Sequence, residues 1–366
     1  MGNRQLVSVG IAAVSLGLAV APLPGVQQTL YVVSGSELQE PLAELETIFE
    51  KSYPHIDIEL KFQGSQDIVN NYLDNRNDFT PAIVIPANGA LLTLLAERWQ
   101  VQEQSEPFYG EPQPIAKTLL VGIAWPERGK ALFGQGAFEW SALTEAMRQR
   151  SWSAIGGENG WGSFDMVTTD PTRSNSGQLA IALLLKDALQ TSQLDRAMLT
   201  DSTVISLVDL LKKSVYQPPR STDILLQEFI ARGPNDADVG LVYESIALHR
   251  WDQAGVGRQN AYQIYYLNPT IETVSTAAIL RRDVSNGEAK AAQTFIDFLR
   301  EPEQQAVFVQ YGFRPAAEPG IDLTTVPESP WAEGIPGAET DPSLKIVSPP
   351  DPSVLGEIQR LWNRAN

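Results

Sequence analysis

Four short polar turns carry the residue types best suited to holding a small polar molecule. They are Ser34-Gly35-Ser36-Glu37, Gly64-Ser65-Gln66-Asp67, Pro86-Ala87-Asn88-Gly89 and Asp170-Pro171-Thr172-Arg173-Ser174-Asn175-Ser176-Gly177. Each places Ser, Thr, Asn or Gly at the expected start of a helix. The first backbone N–H groups of a helix have no partner within it, and the helix dipole adds about half a positive charge there. Such ends hold anions without a basic protein surface. One such turn alone reads as ordinary N-capping; four of one kind at four strand ends are harder to assign to capping. Segment 170–177 is the richest, with three hydroxyls, an Asn amide, Arg173 and a glycine that permits close backbone approach.

The elements that position these turns follow from hydrophobic periodicity. Residues 29–33 read as a buried strand, and a helix follows with Leu42, Leu45, Ile48 and Phe49 on one face. Residues 55–62 alternate as a second strand; Ile68, Val69, Tyr72 and Leu73 mark the next helix. Residues 81–85 form a third strand, with a helix running on through Trp99. Repeated strand, turn and helix predict an α/β fold with a largely parallel sheet, whose ligands bind at the carboxyl ends of the strands. Further on, 118–125, 167–169 and 237–243 read as strands, 140–150 and 178–190 as helices, and 262–280 as two extended segments around Asn268-Pro269. Helices at 287–299 and 303–311 precede a Pro-rich stretch, 315–352. A last amphipathic helix carries Val354, Leu355, Ile358, Leu361 and Trp362. The order of these units predicts one lobe from 29–116 and 275–366, including the strap and final helix, and a second from 120–268.

Composition narrows the function. Residues 1–4 form a charged head, 6–20 an apolar run, and Ala21-Pro22-Leu23-Pro24-Gly25 a break. This pattern predicts a secretory signal peptide over 1–25; the run is short for the roughly 18–20 residues of a membrane span. The expected location is periplasmic or extracellular. The 366 residues contain no Cys and two His, His55 and His249. Thiolate sites are excluded, and no metal or other cofactor is expected. The formal charge is −17, which repels nucleic acid and anionic lipid. No Gly-x-Ser-x-Gly elbow or Ser-x-x-Lys pair occurs. Residues 122–130 have the wrong spacing for a phosphate loop, with Ala131 where Ser or Thr belongs. The Gly-rich 156–162 stretch precedes a strand and reads as a loop. The sequence therefore predicts a binder and not an enzyme.

The chain resembles bacterial extracellular solute-binding proteins of the type II class, near the molybdate- and phosphate-type branch of ABC transporter substrate-binding proteins. The resemblance rests on the 34–37 and 170–177 turns, Trp140-Ser141-Ala142-Leu143 and Val242-Tyr243-Glu244-Ser245. It also rests on the 295–305 segment running into Tyr311-Gly312-Phe313-Arg314-Pro315. It implies two α/β lobes joined by two crossing strands, a ligand in the cleft, a monomeric chain, and the membrane permease of an ABC importer as partner. The expected ligand contacts are Ser34, Gly35, Ser36, Gly64, Ser65 and Asn88 on one side. Thr172, Arg173, Ser174, Asn175, Ser176, Gly177, Tyr243 and Glu244 face them. An oxyanion is the expected ligand. A carbohydrate or other neutral solute, with Trp161 stacking on it, is the alternative, and a sensory module without transport is a third reading.

Overall fold

The computed structural model describes residues 27–134, 137–234, 236–256, 261–316 and 320–365. The expected signal peptide falls outside them. No helix among the described residues is long and apolar enough to cross a membrane.

Strands β1 (Gln28–Gly35), β2 (Ile56–Gln63) and β3 (Pro81–Ile85) pair in parallel, in the order β2-β1-β3. Their alternating side chains separate two hydrophobic layers, as the two-residue period of a strand requires. Leu30, Val32, Ile83 and Ile85 face α1 (Gln39–Ser52), α11 (Asn286–Leu299) and α12 (Pro302–Gln310). Val33 and Val84 face α2 (Ser65–Leu73) and α3 (Ala90–Glu103). Helix α11 begins with a capping box: the Ser285 hydroxyl accepts from the Glu288 N–H, and the Glu288 carboxylate accepts from the Ser285 N–H.

Two long strands join this half of the sheet to the other. Strand β4 (Gln113–Ala124) pairs antiparallel with β8 (Glu272–Ile279) along its first half. Its second half pairs with β6 (Val239–Tyr243) and β7 (Gln263–Tyr266). Strand β8 continues into the first half of the sheet beside β3. Strand β5 (Met166–Val167) completes the second half, parallel to β6, and β9 (Arg314–Pro315) pairs with β4. The result is a two-lobed α/β fold with two crossing strands.

Helices α4 (Pro126–Phe133), α5 (Trp140–Gln149), α6 (Asn175–Ala188), α7 (Ser202–Ser214) and α8 (Thr222–Arg232) surround the second half, with α9 (Glu244–His249) and α10 (Trp251–Gly255) after β6. Sequence periodicity gave no reading of α4, α7 or α8. Helix α6 starts three residues before the expected Gln178.

The final helix, expected to pack on the first lobe, touches helices of both halves. Helix α13 (Pro352–Arg364) buries Val354, Ile358, Leu361 and Trp362 in the hydrophobic cluster of the second half. It lies on α6 and α7 and also reaches α3 of the first lobe. The physical reason lies in α6, where every residue from Asn175 to Lys186 is buried. A helix apolar on all sides needs cover on all sides, and the sheet covers one of them. Lys212 of α7 fixes the end of α13 by donating to the Trp362 and Ala365 carbonyls, both at 2.8 Å. We expect Ile358→Ala, at a fully buried position, to lower unfolding free energy by about 2–5 kcal/mol in urea titrations. Deleting residues 351–366 should lower Tm further; an unchanged Tm would show that the helix is not docked.

Candidate functional site

The first lobe presents the ends of its parallel strands. The Ser34 hydroxyl donates to the Ile85 carbonyl at 3.4 Å. Gly35 is extended; a Cβ there would stand 2.2 Å from Glu37 Oε1, so this glycine makes room for the carboxylate to fold back. Ser36–Leu38 is a single 3-10 turn. A Cβ on Gly64 would lie 2.7 Å from the Arg173 carbonyl, so glycine allows the two lobes to approach here. The Ser65 hydroxyl accepts from the Ala87 N–H at 3.1 Å. Asn88 Oδ1 caps Ala90, while its buried Nδ2 has no hydrogen-bond partner.

The second lobe answers with the N-terminus of α6, whose first turn contains Asn175, Ser176 and Gly177. The Ser176 hydroxyl is buried among those of Thr169, Ser174 and Thr222, at 2.8, 3.1 and 2.7 Å. Gly177 backs closely onto the Thr169 carbonyl. Asn175 Nδ2 donates to the Tyr243 hydroxyl at 3.0 Å, and Asn175 Oδ1 is buried without a partner. The Thr172 hydroxyl donates to Asp170. Glu244, fully buried, takes the Tyr266 hydroxyl and both Nε and Nη2 of Arg314. The polar atoms of Thr172 and Glu244 are thus engaged within their own surroundings.

Contacts across the cleft close it at both edges. On one edge Gln66 Nε2 donates to Gln178 Oε1 at 3.1 Å and Arg173 pairs with Asp67 at 2.9 Å. That ion pair is half exposed, and such pairs contribute little on their own. On the other edge Glu40 accepts from Arg250 at 2.7 Å and meets His249 Nε2 at 2.5 Å, while Arg250 also binds Asp223 at 2.5 Å. Burial alone would raise the Glu40 carboxyl, but His249 and Arg250 outweigh it and hold it below its ordinary value.

A cavity of about 280 Å³ opens beside this second edge. Ser36 is the one expected contact that lines it; Glu37, Glu40, Asp223 and Arg250 line it as well. Glu37 is buried, and its Oε1 has no partner. Burial, with Asp223 adding to it, pushes its pKa up to about 7 against the pull of its own backbone N–H. The Tyr243 hydroxyl is raised well above its usual range, by burial and then by Glu37.

Sequence reasoning placed Glu37 in the first turn without singling it out, and it singled out neither Asp223 and Arg250, which line the cavity, nor the Gln178 side chain, which meets Gln66. Trp161 meets Trp152 edge-on at 5.2 Å and carries the Arg128 guanidinium at 3.8 Å. It packs on the core of the second half and does not line the cavity. Among the described residues no group of three or more His, Cys, Asp or Glu could hold a metal ion.

The sequence profile of bacterial extracellular solute-binding proteins matches residues 30–314. No curated protein matches the sequence significantly. Among solved structures, a periplasmic thiamin binding protein superposes with a TM-score of 0.64 at 13% identity, covering 94% of this chain and 99% of the other. Iron-bound HitA from Pseudomonas aeruginosa gives 0.60 at 14%, covering 92% and 97%. The sulfate-binding protein SubI from Mycobacterium tuberculosis H37Rv gives 0.57 at 14%, covering 88% and 94%. At these identities the likeness is one of fold.

The raised pKa of Glu37 makes a prediction for stability. The folded state holds this proton more tightly than the unfolded chain, whose carboxyl titrates near 4.5. The stabilisation is complete below about pH 4.5 and is lost as pH rises through about 7. Glu37→Gln should therefore be more stable than the parent at pH 8, by up to about 3 kcal/mol, with the difference shrinking towards pH 5. Urea titrations at both pH values measure it; equal differences would mean that Glu37 titrates normally.

Proposed function

The chain belongs to the bacterial extracellular solute-binding proteins, and from that premise we propose that it captures a small polar solute between its lobes and delivers it to the membrane permease of an ABC importer. One observation carries the reading. At the strand ends and helix starts of the two lobes, four buried side-chain atoms have no protein partner: Glu37 Oε1, Asn88 Nδ2, Asn175 Oδ1 and Gln178 Nε2. A buried polar atom left unpaired costs about 1–3 kcal/mol, and native proteins leave few of them. A bound solute that paired with them would recover that cost only when the lobes are closed on it.

The free atoms also describe the solute. Asn88 Nδ2, Gln178 Nε2 and the N-terminus of α6 suit an oxyanion, the ligand class expected from the sequence. Of the hydroxyls expected to help, those of Ser174 and Ser176 are engaged with other hydroxyls, while Ser65 accepts from the Ala87 N–H and keeps its own O–H to donate. Two donors and two acceptors together favour a solute that both gives and takes hydrogen bonds. The superposable proteins are described as binders of sulfate and thiamin and as iron-bound, so this architecture accommodates ligands of either charge. We further propose that β4 and β8 flex to open and close the cleft, that the lobes divide near residues 116–120 and 268–275, and that the protein acts as an exported monomer.

Native mass spectrometry of the purified protein should find a co-purified small solute. Adding it should raise Tm, and Asn175→Ala should weaken its binding about tenfold or more while the fold stays intact. Retention of full affinity in Asn175→Ala together with Gln178→Ala would place the ligand elsewhere.

A further inference from the structure

The charge balance of the cavity beside Glu37 goes one step further, and the inference rests on the solute-binding reading above. Three carboxylates line this cavity, Glu37, Glu40 and Asp223. Arg250 pairs with two of them, Glu40 and Asp223, and His249 meets Glu40. Glu37 is the carboxylate left over. It is more than nine-tenths buried, and its Oε1 is without a hydrogen-bond partner. A buried carboxylate must hold a proton or face a positive partner, because an isolated buried charge is very costly.

We infer that the cleft takes a small organic cation, a protonated amine or amidine, whose N–H groups sit on Glu37 Oε1. Asn175 Oδ1 is a second acceptor on the facing lobe, linked to the same place through the Tyr243 hydroxyl. The cavity lies at the lower end of the roughly 300–1,000 Å³ of small-molecule sites. The formal charge of −17 acts in the same sense: a strongly negative protein draws cations towards its clefts and repels anions.

The proton on Glu37 gives the test its signature. Asp223 and Tyr243 act on Glu37 directly. Glu40, Arg250, His249 and Tyr311 line the same cavity. A cation can pair only with the ionised carboxylate, whose pKa stands at about 7. Affinity for an amine that stays protonated should therefore rise about tenfold from pH 6 to pH 8.

The probes are n-butylamine, 1,4-diaminobutane and benzamidine, with n-butanol, sulfate, molybdate and glucose as comparators. Calorimetry and thermal shift on the mature chain are run at pH 6 and pH 8. We expect binding by at least one of the three cations, tighter at pH 8, and a loss of tenfold or more in Glu37→Gln. Binding of sulfate, molybdate or glucose with none of the cations would overturn the inference and leave the solute-binding reading intact. Silence from all three cations at both pH values overturns it as well, and native mass spectrometry then tests the broader reading alone. A pH dependence that survives in Glu37→Gln would belong to another group and would equally overturn it.

Discussion

Strand β4 changes partners halfway along its length. Residues 113–119 lie beside β8, and residues 120–124 lie beside β6 and β7. Because one strand serves both halves of the sheet, neither half can close over the other, and each has to bury its own apolar faces under its own helices. The first half does so in two layers separated by the alternation of Val32 and Val33, and of Ile83, Val84 and Ile85. The second half gathers a separate core around Leu120 to Ala124. What remains for the lobes to show each other is polar: strand ends, helix starts and the side chains they carry. The cleft is a consequence of that division.

Charge shapes how the polar faces meet. At the Arg250 edge, a guanidinium with two carboxylate partners satisfies charges from both lobes. Truncating one partner of such a group leaves the others buried without compensation, which is why partly buried ion pairs fix a geometry more than they stabilise it. At the Gln66–Gln178 contact the join is made by amides instead. Between the two edges Glu37 has neither an amide nor a cation for its Oε1. The seam is thus bridged at both edges, while Glu37 Oε1 between them and Gln178 Nε2 at the amide edge are left without partners.

The C-terminal segment adds a constraint outside the region shared with the family, whose match ends at residue 314. The strap is tied down by backbone pairing, with Thr270 donating to the Lys345 carbonyl and Val347 donating to that of Thr270. Arg314 donates to the Glu339 and Thr340 carbonyls and stacks under Trp331 at 4.6 Å. The same arginine forks onto Glu244, so one side chain links the end of the shared fold, the second lobe and the strap. The final helix then supplies the apolar cover that α6 requires.

The sequence by itself determined the elements whose periods are clean. Strands β1, β2 and β3, helices α1, α2 and α3, and helices α11 and α12 were legible because each buries one face at a spacing of two or 3.6 residues. It also placed the donor-bearing turns at the strand ends, since Ser, Asn and Gly at helix starts follow local capping rules. Helices α7 and α8 were not read at all, and the start of α6 was set three residues late because Asn, Ser and Gly looked like a turn while tertiary burial made them helix. Only the tertiary structure decided which side chains remain free. Ser176 and Glu37 both stand in polar turns, yet Ser176 finds three hydroxyl partners from Thr169, Ser174 and Thr222, and Glu37 finds none for Oε1. Whether a polar atom is satisfied depends on residues distant in sequence that arrive beside it on folding, and no local pattern encodes that.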